Sequence, residues 1–555
     1  MSPARTDPVT RIVVVGFGMA AGRLLDDLLV RLPRGRAGSP TAVTVVGAEP
    51  YGPYNRVLLT EVLAGRADVA ALGTGDPERY ADRGIDVRPG RAVTAIDRDR
   101  SLVRLDDGTA VPYDRLVLAT GAAPVIPPLV ETTERGDRPL RHLPAGVHAF
   151  RTVDDCREIV AGAAAAREAV VLGGGLLGLE TARGLARRGL AVTVLHSGAH
   201  VLGRHLDAEA AQVLALGLRR LGLTVRQATS AVRVVTAAGR LAGLVLGDGT
   251  RLPADLLVLA CGVRPRTELA AAAGIAVGRG VLVDDAVTTS DPRVLAVGDC
   301  AEHASGGGGL VATAWEQARV AADLLAGTDR GARYRGRPDV VRLKAAGVEV
   351  AAAGETHADP WSTEHRVTRL VDPAGGRYLE VVIADGVVVG AVAVGDARAA
   401  AELTLLVDRA SPAPPDPAVL LLPADRREAT TADQPALIPD RATVCRCNGV
   451  TKGAVVRAWD EGARTVDEVS RRTRAGTGCG SCADAVSGLL GWLGTAEPDL
   501  APPALPGAAV PVTTVPGVGP AAVTPPPGDS PGPGAPEGSP GPGAPELSPT
   551  PGGQR

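Results

Sequence analysis

Apolar residues in this chain come in short, nearly continuous runs, at 12–15, 42–46, 116–119, 169–172, 192–195, 256–260 and 294–297, with Thr44 and Thr193 the only polar residues inside them. Runs that short, continuous rather than alternating, predict strands covered on both faces, as in a parallel sheet. Two of them, 12–15 and 169–172, run into glycine-rich turns and then into Ala- and Leu-rich helical sequence. Residues 311–325 read as a further helix. Between 335 and 410, short apolar runs such as 348–353 and 379–383 alternate with turns such as Asp385-Gly386, which predicts a small α+β domain. Residues 411–440 are proline-rich and aperiodic, the pattern of a linker. Thr465-Val-Asp-Glu468 is a capping box that starts a helix. From 497 the chain is Pro-, Gly- and Ala-rich, with Ser530 to Glu537 nearly repeated at Ser539 to Glu546. Such a tail cannot bury enough surface to fold, and glycine does not recur at every third place as a collagen helix requires.

A strand, a glycine turn and a helix in succession make a site for a pyrophosphate. The first glycine makes the tight turn, the second lets the backbone approach the ligand, the third packs helix on sheet, and helix N–H groups face the anion. Gly173, Gly175 and Gly178 fill these places in the second copy; Gly16, Gly18 and Ala21 fill them in the first. After the 42–46 strand, Glu49 is placed to accept hydrogen bonds from an adenosine ribose. Two dinucleotides are implied, the second domain set inside the first.

Ala119-Thr120-Gly121 after an apolar strand, the two glycine loops, and Val294-Leu-Ala-Val-Gly298-Asp299 together resemble the two-dinucleotide flavoproteins of the glutathione reductase and ferredoxin reductase family, over residues 10 to about 330. The resemblance implies FAD at Gly16, Gly18, Ala21, Thr120, Gly121 and Asp299, and NADH or NADPH at Gly173, Gly175 and Gly178. It also implies a catalytic Glu180 beside the nicotinamide and flavin N5. Leu256 to Pro265 resembles the segment that closes the nicotinamide domain, which brings in Gly262. Pro53-Tyr54-Asn55-Arg56 resembles the Pro-Tyr-Asp-Arg stretch of ferredoxin reductases, which brings in Arg56 as a cofactor contact. The helix at 311–325 is expected to face the flavin pyrimidine with its positive end, which favours the anionic reduced flavin. The expected boundaries are 10–150 with 280–330 for the FAD domain and 151–279 for the NAD(P)H domain. Residues 49–155 contain no cysteine, so the reactive pair of the family's disulfide reductases is missing. Glu61 stands where many ferredoxin reductases carry lysine. His196-Ser197, after the second nicotinamide strand, is neither the acid that bonds a 2′-hydroxyl nor the arginine that accommodates a 2′-phosphate; Arg204 lies a little further on, and the resemblance leans to NADH.

Composition narrows the picture further. In 555 residues, 45% hydrophobic content supplies cores for several domains, and a net charge of −3 with interspersed signs argues against nucleic acid or an acidic membrane surface as a partner. Only two of 59 basic residues are lysines, Lys344 and Lys452, which disfavours lysine-based chemistry. No signal-peptide pattern follows Met1 and no apolar run would span a bilayer, so a cytoplasmic protein is expected. In a reducing compartment seven cysteines are not a disulfide framework, and four of them crowd at Cys445, Cys447, Cys479 and Cys482. Two thiolate pairs can hold a [2Fe-2S] cluster or a structural zinc, but zinc usually takes pairs two to four residues apart, unlike Cys445-x-Cys447. The set at 441–496 resembles the bacterioferritin-associated-ferredoxin type of [2Fe-2S] domain.

The expected fold class is α/β: two nested glutathione-reductase-like dinucleotide domains, a small α+β domain at 335–410, a small helical [2Fe-2S] domain, and a disordered tail. The module order resembles the N-terminal part of NAD(P)H nitrite reductase large subunits and the electron-transfer subunits of assimilatory nitrate reductases. Cys156, Cys261 and Cys300 are too scattered to hold a further cluster. The expected partner is therefore a separate terminal reductase, a molybdenum nitrate reductase or a sirohaem nitrite reductase subunit. Two alternatives are a reductase of rubredoxin, ferredoxin or an oxygenase, and an iron-handling or redox-sensing interaction protein.

Overall fold

The opening strand, Thr10–Val15, lies at the centre of a five-stranded parallel sheet, between Thr41–Gly47 and Arg115–Leu118, with Asp86–Pro89 and Val294–Ala296 at the edges. The computed structural model describes residues 10–32, 41–73, 76–306, 308–336, 338–345, 347–422, 438–445, 448–478 and 482–496. The tail from 497, most of the expected linker, Cys447 and Cys479 lie outside the described residues.

A second parallel sheet repeats the first. Glu168–Leu172 is central, flanked by Ala191–Leu195 and Leu256–Leu259, with Thr224–Arg226 and Val147–Ala149 outermost. Past their exposed first residues both central strands are buried, as their apolar runs at 12–15 and 169–172 require. Antiparallel pairing of Ala122–Pro124 with Val263–Pro265 joins the exits of the two sheets. Helices Met19–Arg31 and Val311–Ala326 contribute Leu24, Leu25, Leu28, Ala318 and Ala321 to the core over the first sheet. A mostly antiparallel sheet that pairs Val130–Thr133 with Ala231–Ala237 flanks the second.

The small domain is an antiparallel sheet of five strands, in the order Val340–Ala345, Val348–Gly354, Val387–Val394, Arg377–Ala384, Arg366–Asp372, with helix Ala397–Asp408 on one face. Its other face shares a core with the half built on the second parallel sheet: Leu343, Val350, Tyr378 and Val392 are buried together with Ala210 and Leu214. Arg369 and the Tyr378 hydroxyl both reach Asp207 there, which caps helix Ala208–Arg220. The stretch expected as linker begins against this domain. Ser411 and Ala413 are hydrogen-bonded to Val388 and Gly386, and Leu421 is buried in the small domain's core.

Three helices, Lys452–Asp460, Val466–Thr473 and Ala483–Ala496, form the last module around Val455, Trp459, Val469, Val486 and Leu489. The capping box is present, with Thr465 accepting from the Glu468 N–H and Glu468 accepting in return. Among the described residues no helix is long and apolar enough to cross a membrane.

Candidate functional site

The two glycine loops are built on the same contact. Gly16 and Gly173 have φ of +106° and +126°, and a Cβ on either would land on a backbone carbonyl oxygen, that of Ala119 for one and Ala260 for the other. Only glycine serves at such a position. A side chain at Gly18 or Gly121, or at Gly175 or Gly262, would instead point into open space, so each loop and its neighbouring strand exit frame an open cradle.

The helices behind the cradles are left uncapped. Five long helices take a Thr or Asp side chain on their first turn, from Thr152, Asp207, Asp396, Thr451 and Thr465. Met19–Arg31, Leu176–Arg187 and Val311–Ala326 have no side-chain cap and no acidic residue in the first turn. Their first N–H groups are thus available to an anion. The Trp315 indole N–H and the Arg151 Nε are buried with no protein partner. Uncapped N–H groups and an open cradle at each loop fit the pyrophosphate of a dinucleotide.

Of the residues expected to contact FAD, the structure brings Glu49 and Arg56 together. Glu49 accepts from Arg56 and, at 2.7 Å, from the Tyr54 hydroxyl, and the Arg56 guanidinium stacks 4.8 Å from the Tyr54 ring. Asp299 sits in a short 3₁₀ turn, Gly298–Cys300, and pairs with Arg151 at 2.5 Å. Gly298 donates its N–H to the Gln317 side chain at 2.8 Å, which ties this turn to helix Val311–Ala326. The Thr120 hydroxyl donates to the Arg266 carbonyl at 3.2 Å. Ala21 is fully buried, and Gly22, one residue on, is where a Cβ would strike Pro53 at 2.8 Å. Glu180 is nearly buried on the second loop's helix and accepts from Thr60 Oγ1 at 3.0 Å. Glu61 is engaged elsewhere, forked onto Arg66. Arg151, Gln317 and Thr60 were not singled out from sequence. Each acts on a partner between 19 and 148 residues away, and nothing local marks it.

In the last module Cys445 and Cys482 are buried side by side. The Gly476 N–H donates to Cys482 Sγ at 3.1 Å, and the Asn448 amide points at Cys445 Sγ from 3.8 Å. The Cys445 thiol is pulled down to about 6, chiefly by its hydrogen bond with Cys482 and then by the N–H groups of Gly476 and Asn448, against the opposing effect of burial. A pocket that favours thiolate over thiol fits a metal-sulfur ligand. Among the described residues the other three cysteines behave oppositely: burial pushes Cys156 and Cys261 up to about 11 and Cys300 upward as well.

Comparison with known proteins agrees with this division. Residues 10–322 match the family model for pyridine nucleotide-disulphide oxidoreductases. Residues 340–410 match the rubredoxin NAD+ reductase C-terminal domain, and residues 443–492 the BFD-like [2Fe-2S] binding domain. A nitrite reductase [NAD(P)H] of Bacillus subtilis is 35% identical over 86% of this chain and 57% of its own length. The assimilatory nitrate reductase electron transfer subunit of the same organism is 34% identical over 88% of this chain and 60% of its own. The chain thus spans a little over half the length of these relatives. Among solved structures, a covalent putidaredoxin reductase–putidaredoxin complex aligns with a TM-score of 0.65 at 27% identity, covering 74% of this chain and 96% of that one. The families matched imply FAD and NAD(P)H for residues 10–322 and a [2Fe-2S] cluster for the cysteine module.

Proposed function

The chain belongs to the pyridine nucleotide-disulphide oxidoreductase family, and from that premise we propose that it is the electron-transfer component of a nitrate- or nitrite-reducing system. It takes a hydride from NAD(P)H and passes single electrons out through its cysteine module to a terminal reductase. FAD supplies the needed conversion, since it accepts a hydride and releases electrons singly, and a [2Fe-2S] cluster carries one electron at a time. The supporting observation is that Cys445, buried beside Cys482 in a pocket that favours its thiolate, stands in the same chain as two open dinucleotide cradles, while burial holds Cys156, Cys261 and Cys300 as thiols.

In this reading the FAD domain is 10–150 with 280–330 and the NAD(P)H domain 151–279. Gly173, Gly175 and Gly178 hold the nicotinamide dinucleotide's pyrophosphate, and Glu180, fixed by Thr60, orients the ring that gives up the hydride. Gly16, Gly18, Thr120, Gly121 and Asp299 hold FAD, with Glu49 and Arg56 at its adenosine end. Cys445, Cys447, Cys479 and Cys482 ligate the cluster. The terminal reductase, a molybdenum nitrate reductase or sirohaem nitrite reductase, is a separate partner, and the compartment is the cytoplasm.

The test is a coupled assay. Chain purified with FAD, iron and sulfide should reduce ferricyanide with NAD(P)H but leave nitrate and nitrite untouched until one of those terminal reductases is added. Rapid reduction of a rubredoxin, a ferredoxin or a ferritin-type iron store, with no coupling to either reductase, would replace the nitrogen reading by one of the alternatives.

A further inference from the structure

The cysteine module grips the FAD half through both of its ligand-bearing loops. Asn55, 2% exposed, donates its side-chain amide to two successive carbonyls, Thr477 at 2.7 Å and Gly478 at 2.5 Å. Gly478 immediately precedes Cys479 in the sequence. Arg474 reaches Asp26 at 2.6 Å, and Asp26 is held from the other side by Arg79 at 2.8 Å. Asn448, next in sequence to Cys447, accepts from Arg23 at 3.4 Å, and the Arg23 guanidinium lies 5.8 Å from the ring of Trp315. Asn448 also donates to the Arg474 carbonyl and to Thr477 Oγ1, which locks the two ligand loops to each other. The contacts of Arg23 and Asn55 with this module span more than 420 residues of sequence and come from the first glycine loop's helix and the 53–56 segment.

We propose that Asn55 is a positioning residue: its amide clamps the cluster-ligand loop onto the flavin module and thereby sets the separation over which electrons leave within one chain. The proposal rests on the flavin-to-cluster reading above. The chemical argument is the difference between Asn and Asp at this position. Asn55 Oδ1 already accepts from the Val57 N–H at 3.1 Å and caps the short helix that follows. A carboxylate would keep that cap but has no hydrogen to donate, and it would set a buried negative charge against two carbonyl oxygens. An aspartate at position 55 could therefore not make this clamp, whereas asparagine directs its amide at both carbonyls. With flavin and cluster bound, electrons from the flavin would cross one at a time, and Asn55 would hold the loop next to Cys479 at a fixed place against the flavin module.

The test compares full-length, FAD- and cluster-loaded wild type with Asn55→Asp. Hydrogen–deuterium exchange across residues 445–450 and 470–478 should rise several-fold in the variant. Stopped-flow flavin reduction by NAD(P)H should stay within twofold, and subsequent cluster reduction should slow at least tenfold. Arg474→Gln, which loosens the seam from the other side, should shift exchange and cluster reduction the same way, and stands in if Asn55→Asp fails to fold. Exchange and cluster reduction at wild-type rates would overturn the clamp; faster exchange with unchanged cluster reduction would overturn its role in positioning. If the wild-type cluster is never reduced by NAD(P)H, the functional reading falls, while the exchange measurement still reports on the clamp.

Discussion

The two dinucleotide-binding halves are one design used twice, and they differ where their tasks differ. Each central strand meets its neighbours in the same order, each loop rests on the carbonyl of an alanine, Ala119 or Ala260, and the strand exits read Leu-Ala-Thr120-Gly121 in one and Leu-Ala-Cys261-Gly262 in the other. The outermost strand marks the nesting: Val294–Ala296 follows the rest of its sheet in sequence, whereas Val147–Ala149 precedes its own. Even the packing over the loops is exchanged. In the first, Phe17 fills the space and Gly47 faces it; in the second, Gly174 leaves the space and His196 fills it, and a Cβ on either glycine would strike the opposing ring-bearing side chain at 2.6 or 2.8 Å. Bulk is conserved while its source moves, as close packing requires. Seven residues after the first glycine stands Arg23 in one half and Glu180 in the other. Arg23 reaches toward the cysteine module through Asn448, and Glu180 toward the 53–61 segment through Thr60. The same helix position serves the exit on one side and, in our proposal, the hydride entry on the other.

The comparison breaks most sharply at the third glycine place. A Cβ on Gly178 would lie on top of the Gly173 carbonyl oxygen, whereas Ala21 already carries its methyl in the equivalent place. Gly178→Ala should therefore cost about 3 kcal/mol of local packing, seen as roughly hundredfold weaker NAD(P)H binding with FAD content unchanged. Ala21→Gly should cost only the helix-propensity difference, about 1 kcal/mol, and leave FAD bound. Wild-type NAD(P)H affinity in Gly178→Ala would mean the two helices do not seat on their loops in the same way.

A smaller effect is expected at the shared helix position. Glu180→Ala should slow flavin reduction by NAD(P)H about tenfold, or ~1.4 kcal/mol, while FAD content and the later oxidation of the flavin by the cluster stay unchanged. Stopped-flow reduction at the wild-type rate would reduce Glu180 to a buried partner of Thr60 and remove the proposed division between entry and exit.

The reach of sequence reading follows the same contrast. The glycine loops and the strand exits were legible because their spacing is local and each residue type has a steric reason. Gly16 must adopt a positive φ, and no side chain fits over Ala119. The Phe17–Gly47 exchange, the Arg151–Asp299 pair and the Asn55 clamp were not legible, because each depends on which distant segments the fold brings together. A buried asparagine at a turn looks like any cap until the loop it binds is in view.

The smallest expected difference lies at the base of the sheets. Asp114 accepts from the backbone N–H of Arg11 at 2.7 Å and from its guanidinium, while Asp255 accepts from the backbone N–H groups of Arg167 and Glu168 at 2.8 and 3.0 Å. Each aspartate thus anchors the start of its central strand. The Arg11 side chain holds the Asp114 carboxyl down at about 2, and the two backbone donors, from Arg167 first, lower that of Asp255. A carboxyl that titrates lower in the folded state than in the unfolded state stabilises the fold above its unfolded value, near pH 4, and loses that contribution as pH falls through the folded value. Both sites are solvent-exposed, so the effect at neutral pH is no more than about 1 kcal/mol. Asp114→Asn should therefore lower the melting temperature by only about 2 °C at pH 7, with the gap to wild type closing between about pH 4 and pH 2. Because its partner is a charged side chain, the Asp114→Asn effect should also shrink in high salt. Asp255→Asn, where backbone donors lead and the charge of Arg167 adds a smaller part, should be milder and less sensitive to salt. Equal, salt-independent losses at the two positions would show that the Arg11 guanidinium adds nothing to the anchor that the backbone donors do not already supply.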